Sequence, residues 1–128
     1  IARARASLVT AIIKPESIVA MTGLASEVFV DESVMRYLND IVEATRKNRD
    51  VVLGVSMRGA MALARAIKTW AITQGRTYAT PDDVRDLAVP VLAHRIILDP
   101  ESEFAGVKAE DIVSRILLDI EPPTYRAA

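Results

Sequence analysis

Along most of the chain the apolar positions fall three and four residues apart, the spacing that gathers side chains on one face of an α-helix. In "ESVMRYLNDIVEATRKN" the residues Val34, Leu38, Ile41 and Thr45, flanked by Met35 and Val42, keep that spacing. Asp31 stands before them as an N-cap, and Arg46 and Lys47 suit the negative end of the helix dipole. In "SMRGAMALARAIKTWAITQG" the residues Met61, Leu63, Ala64, Ala66, Ile67, Trp70 and Ala71 cover most of the circumference, so this segment reads as the central helix, stopping at Gly75. "TPDDVRDLAVPVLAH" opens with Thr80 as N-cap, Pro81 at the first helical position and Asp83 where a capping box has its acid. Val84, Leu87, Ala88, Val91 and Leu92 then follow the helical template, while Pro90 removes the bond to the Asp86 carbonyl and predicts a kink or a split. A fourth segment places Ala109, Ile112, Val113, Ile116, Leu117 and Ile120 on one face until "EPP" ends it.

Weaker patterns lie between these. "PESIVAMTGLAS" puts Pro15 at a helix start, with Ile18, Met21, Leu24 and Ala25 on one side, but Gly23 interrupts it. "EVFVDE" alternates Val28 and Val30 as a very short extended piece, "RDVVLG" reads as an extended connection, and "LDPESEFAG" as a polar, turn-rich link. No internal repeat or low-complexity segment appears. The expected fold is mainly α: a small bundle of four main helices, with a weak N-terminal helix and at most very short strands. The expected organisation is an arm or linker at 1–14, a helical domain at 15–123 and a tail at 124–128. The chain opens on Ile1 without a methionine, and its basic and apolar first residues lack a proper apolar stretch and cleavage site, so it reads as a cut inside a longer protein.

Composition narrows the function. Of 128 residues, 51% are hydrophobic and only 5% aromatic, a balance suited to packed helices. Sixteen Lys and Arg against 17 Asp and Glu leave a net charge of −1, which gives no general attraction to nucleic acid. With no cysteine there is no disulfide, thiolate metal site or cysteine nucleophile, and the cytoplasm is the default compartment. No apolar run has the length of a membrane span.

Little in the chain carries catalysis of its own. Gly-rich phosphate loops, G-x-S-x-G, H-E-x-x-H and C-x-x-C are all missing. His94, the single histidine, lies near a helix end and reads as a polar residue satisfied by its neighbours; no metal site is expected. Asp82 with Asp83, and Glu110 with Asp111, fall in first helical turns, where the dipole favours carboxylates without any chemistry. The basic cluster Arg46 to Arg49 is explained by a helix end and a solvated loop, and Tyr37 and Trp70 sit among apolar positions as core or core-edge groups. One feature resists such explanations. If Ser56 is the N-cap of the central helix, Arg58 puts a cation at the positive end of the dipole, and Gly59 costs about 1 kcal/mol of helix propensity relative to alanine. Free N–H groups at a helix start together with a forked guanidinium make an anion receptor, and Gly59 would let another surface approach. An ordinary exposed arginine and a packing glycine are the competing explanation.

The run "GVSMRGAMALARAIKTWAITQGRTYATPDDVRDLAVPVLAHRIIL" resembles the C-terminal helical lid of MoxR-type AAA+ ATPases. The matching elements are Gly54, Ser56, Arg58, Gly75, Arg76, Tyr78, Pro81, Asp82 or Asp83, His94 and Arg95, and the likeness extends over roughly residues 15 to 123. Met57, Gly59 and Ala79 depart from the family pattern without displacing the arginine. The resemblance implies that Arg58 is the sensor 2 residue, reaching the phosphates of ATP in a neighbouring α/β core, with Ser56 and Gly59 beside it. It also implies ATP and Mg2+ as cofactors of an intact parent, no hydrolysis by this fragment alone, partnership with its own AAA+ core, a homo-hexamer, and client proteins with von Willebrand factor A domains. The alternative left open by the residues is an independent helical module that binds protein or DNA.

Overall fold

A computed structural model describes residues 5–124; the ends of the expected arm and tail, 1–4 and 125–128, lie outside the described residues. The expected helices form. α1 spans Pro15–Ser26, α2 Glu32–Lys47, α3 Met57–Thr73 and α4 Pro81–Leu92, followed by a 3-10 turn at Ala93–Arg95. A short helix α5, Pro100–Phe104, precedes α6, Ala109–Asp119. Two very short strands, β1 at Val51–Leu53 and β2 at Ile97–Leu98, pair antiparallel, with Val51 opposite Leu98 and Leu53 opposite Ile97. An irregularity between Val51 and Leu53 breaks the register. A single parallel bridge joins Phe29 to Tyr78, its Phe29 N–H donating to the Thr77 carbonyl at 3.0 Å and the Ala79 N–H to the Phe29 carbonyl at 2.9 Å.

Local chemistry sets the boundaries. The Asp31 carboxylate accepts the Ser33 N–H at 2.9 Å and starts α2. Gly75, at φ 75°, lets α3 end in a Schellman motif, with the Arg76 N–H donating to Ala71 and the Gly75 N–H to Ile72, both at 2.9 Å. The capping box at Thr80 and Asp83 forms in both directions. α4 is not split at Pro90: the helix runs on to Leu92 before tightening into the 3-10 turn. Asp86 and Pro90 share the exposed side of α4, while Ala88 and Leu92 are buried on the opposite side.

α3 is central, lying against α4 and also against α1 and α2, while α6 closes the bundle over α2 and α4. The core is built from Leu38 and Ile41 of α2, Leu63 and Ile67 of α3, Val84 and Leu92 of α4, and Val113 of α6, all 0% exposed. Tyr37 is buried in the core, as its spacing suggests, whereas Trp70, expected in the core or at its edge, is 36% exposed. α1 is different. Ala25 is its one buried residue; Ile18, Met21 and Leu24, expected on an inward side, are all more than half exposed. No helix among the described residues is long and apolar enough to cross a membrane.

Candidate functional site

The start of α3 is built by the last turn of α2. Thr45, fully buried among apolar neighbours, donates its hydroxyl to the Val42 carbonyl at 2.6 Å and accepts the Val55 N–H at 3.0 Å. The next residue, Arg46, donates Nε to the Val55 carbonyl at 2.8 Å, with Glu43 3.6 Å from its Nη1. Gly54 makes this approach possible, because a Cβ there would lie 2.7 Å from both Cα and N of Arg46. The chain leaving β1 is therefore fastened to α2 through both polar groups of Val55, immediately before the Ser56 cap.

Ser56 is extended, at φ −77° and ψ 171°, and its hydroxyl oxygen accepts the Gly59 N–H at 3.3 Å. The N–H groups of Met57 and Arg58 have no acceptor within the helix, as in any first helical turn. Gly59 is buried, and a Cβ on it would meet Val55 Cγ1 at 2.6 Å and Arg95 Cδ at 3.1 Å. A close approach at Gly59 is made by this chain's own loop and by Arg95. That also accounts for the lost helix propensity: alanine would push the first turn of α3 off Val55.

Arg58 projects from this first turn into solvent, and among the described residues its side chain has no hydrogen bond or ion pair. Arg65, two turns on, is also exposed. An open groove of about 370 Å³ beside the cap runs between Arg46 and Arg95, with Gly54, Val55 and Ser56 on its floor. Arg95 donates Nε to the Val91 carbonyl at 3.1 Å, and it has no carboxylate partner among the described residues. Arg46 is taken up by the Val55 carbonyl and Glu43, which leaves Arg58 as the exposed cation in the first turn of a 17-residue helix, at its positive end, a position that suits an anion.

The other candidates fall elsewhere. Asp83, not Asp82, is the buried acid. It accepts Arg76 Nη1 at 2.8 Å, Arg76 Nη2 at 2.6 Å and the Thr80 N–H at 2.8 Å, joining the end of α3 to the start of α4. The Arg76 guanidinium is held protonated above its ordinary range chiefly by that hydrogen bonding to Asp83. Glu110 and Asp111 occupy the first turn of α6, as dipole-favoured carboxylates do. His94 lies exposed in the 3-10 turn, and among the described residues no hydrogen bond to backbone or carboxylate satisfies it, contrary to expectation. Among the described residues no three His, Asp or Glu side chains converge as metal ligands. Sequence reasoning missed the roles of Thr45 and Arg46. A hydroxyl at an apolar position of α2 was the available signal, since a buried hydroxyl requires partners.

A family model described as the AAA lid domain matches residues 43–116, which spans the end of α2, the Ser56 cap, Arg58 and all of α3 and α4. The uncharacterized protein YeaC of Bacillus subtilis is 38% identical over 117 residues, covering 91% of this chain and 37% of that protein. Chaperone MoxR1 of Mycobacterium tuberculosis is 26% identical over 125 residues, covering 91% of this chain and 33% of its own. The crystal structure of a candidate ATPase from Cytophaga hutchinsonii superposes with a TM-score of 0.76 at 30% identity, over 80% of this chain and 34% of that one. The chain spans about a third of the length of the relatives it matches.

Proposed function

Since the chain belongs to the AAA lid domain family, as a lid of the MoxR type, we propose that it serves an ATP-hydrolysing parent by presenting Arg58 to the phosphates of a nucleotide held in an adjoining core. The observation that carries this is the exposed guanidinium at the positive end of α3, without a partner among the described residues, where its charge gives the helix nothing. A phosphate supplies the missing counter-charge: the forked donor matches two phosphate oxygens, and the free first-turn N–H groups add to the same field. Ser56 and Gly59 take part by shaping the turn that aims Arg58.

In this reading ATP brings the transferable phosphoryl group and Mg2+ is held by the core. The role left to the lid is electrostatic. A guanidinium placed beforehand where negative charge accumulates lowers the barrier without reorganising at the moment of transfer. Because Arg58 sits on the central helix, its contact with phosphate also ties nucleotide state to the angle of the whole lid, which is how hydrolysis would drive movement. MoxR1 is named a chaperone, and we extend that work to the parent of this lid: a homo-hexamer acting on client proteins, von Willebrand factor A domains among them.

The test is Arg58→Ala in the complete gene product. Turnover is expected to fall by about a hundredfold or more, the cost of losing one preorganised donor, while thermal unfolding shifts by less than about 0.5 kcal/mol because the side chain is exposed and unpaired. Arg58→Lys should recover only part of the rate, since the ammonium keeps the charge and loses the fork. Unchanged turnover in Arg58→Ala would overturn the reading.

A further inference from the structure

We infer that Thr45 and Arg46 are positioning residues for Arg58, a role that rests on the function proposed for that arginine. Val55 is fully buried, yet it belongs to no helix or strand, so its N–H and carbonyl need acceptor and donor from elsewhere. Both come from two consecutive residues at the end of α2: the N–H goes to Thr45 Oγ1 at 3.0 Å and the carbonyl receives Arg46 Nε at 2.8 Å. Thr45 is itself locked, because its own hydroxyl proton goes to the Val42 carbonyl at 2.6 Å.

Val55 passes this constraint forward. Its Cγ1 lies 2.6 Å from where a Cβ would stand on Gly59, so Val55 is wedged under the first turn of α3, and Ser56 beside it closes that turn onto the Gly59 N–H. A shift of Val55 tilts the residues between Ser56 and Gly59, and Arg58 is one of them. The guanidinium stands at the far end of a long side chain, so a small tilt at the backbone becomes a larger displacement at the phosphate-binding fork. Preorganisation of such a group depends on the shell that holds its backbone.

The experiment measures ATP turnover of the complete gene product carrying Thr45→Val, Arg46→Met or Thr45→Ser, each in the natural background and with Arg58→Ala. Thr45→Val and Arg46→Met are expected to lower kcat by about tenfold with KM for ATP little changed, the effect of a misplaced group acting in the transition state. Thr45→Ser, which keeps the hydroxyl, is expected to retain the natural rate. Neither loss should appear once Arg58 is already alanine, because the two residues act through it. Arg46 is partly solvent-facing, so Arg46→Met keeps the test usable if Thr45→Val does not fold. Equal losses in both backgrounds would overturn the inference in favour of a general packing role. Full turnover in both clamp variants, with Arg58→Ala impaired, would overturn it and leave the proposed function standing. Full turnover in Arg58→Ala would remove the proposed function and this inference with it.

Discussion

Replacing Asp83 with alanine should be among the most damaging single changes to this fold. Its carboxylate is 2% exposed and accepts three hydrogen bonds, two from Arg76 and one from the Thr80 N–H, so it closes the capping box of α4 and anchors the end of α3 together. Breaking a buried pair by removing one partner costs about 3 to 5 kcal/mol when the remaining charge stays buried. Arg76 is not wholly buried, with 24% of its side chain exposed, and it keeps the Tyr78 carbonyl at 2.9 Å, so water and that bond compensate part of the loss. The lower bound, about 3 kcal/mol, is therefore the expected cost; the Thr80 cap itself remains, and only the reciprocal bond from the Thr80 N–H to the Asp83 carboxylate is lost with the ion pair. For a domain of this size that lowers Tm by roughly 10 °C. Urea unfolding followed by circular dichroism would measure it, with Asp82→Ala as the control: Asp82 occupies the same helical turn but is exposed, and its loss should cost about 0.5 kcal/mol or less. A loss below 1 kcal/mol for Asp83→Ala, or equal losses for the two variants, would refute the claim that this ion pair ties α3 to α4.

Two glycines should respond to alanine with opposite signs. Gly23→Ala, in an exposed helical position with nothing within 4 Å of the new Cβ, should stabilise α1 by about 1 kcal/mol, whereas Gly54→Ala, whose Cβ would meet the Arg46 backbone at 2.7 Å, should destabilise by about 2 kcal/mol. Chemical denaturation of both variants decides it, and a stabilising Gly54→Ala would show that the loop moves freely from α2. The Asp31 carboxyl is held below its ordinary value of 3.8 by hydrogen bonds from the Ser33 side chain and backbone. Its contribution to stability is thus complete above pH 3.8 and is lost as pH falls through the lower folded value. Asp31→Asn should flatten that acid limb; an unchanged acid transition would remove the cap from the account.

The four main helices were legible because each carries its own signals: apolar spacing inside, a capping residue before, a breaker after. What was misread depended on partners far along the chain. β2 has two residues and no pattern of its own, and it exists because β1 offers it a ladder and because the Asp99 N–H reaches the Asp50 carbonyl at 2.8 Å. α5 hid inside "DPESEF", where Asp99 and Pro100 signal a turn and a helix start equally well. Pro90 signalled a kink or a split, and the split did not follow: the helix runs two residues past it before the 3-10 turn begins. α1 shows the converse: the helix forms and lies against α3, but of the residues expected to face inward only Ala25 is buried, while Ile18, Met21 and Leu24 stay more than half exposed.

The site divides along the same line. Arg58 was visible because it violates the rule for its position: a cation at a positive helix end is a local misfit, and local misfits can be read from a sequence. Gly59 was visible for the same reason, though its cause lay within the chain, in the Val55 side chain packed beneath it. Arg46 obeys its local rule as a base near a helix C-terminus, and Thr45 keeps the helical spacing of the inner face, so the one mark either carries is a hydroxyl at an otherwise apolar position, which does not say what it bonds. Their part emerges only when β1 brings Val55 back across ten and nine residues respectively to bond them. A residue that acts on chemistry directly tends to break a local rule, whereas one that acts by holding another can satisfy every local rule. Mutational scans guided by sequence misfits alone would therefore find Arg58 and pass over the clamp behind it, and turnover measured with and without Arg58 separates the two kinds of contribution.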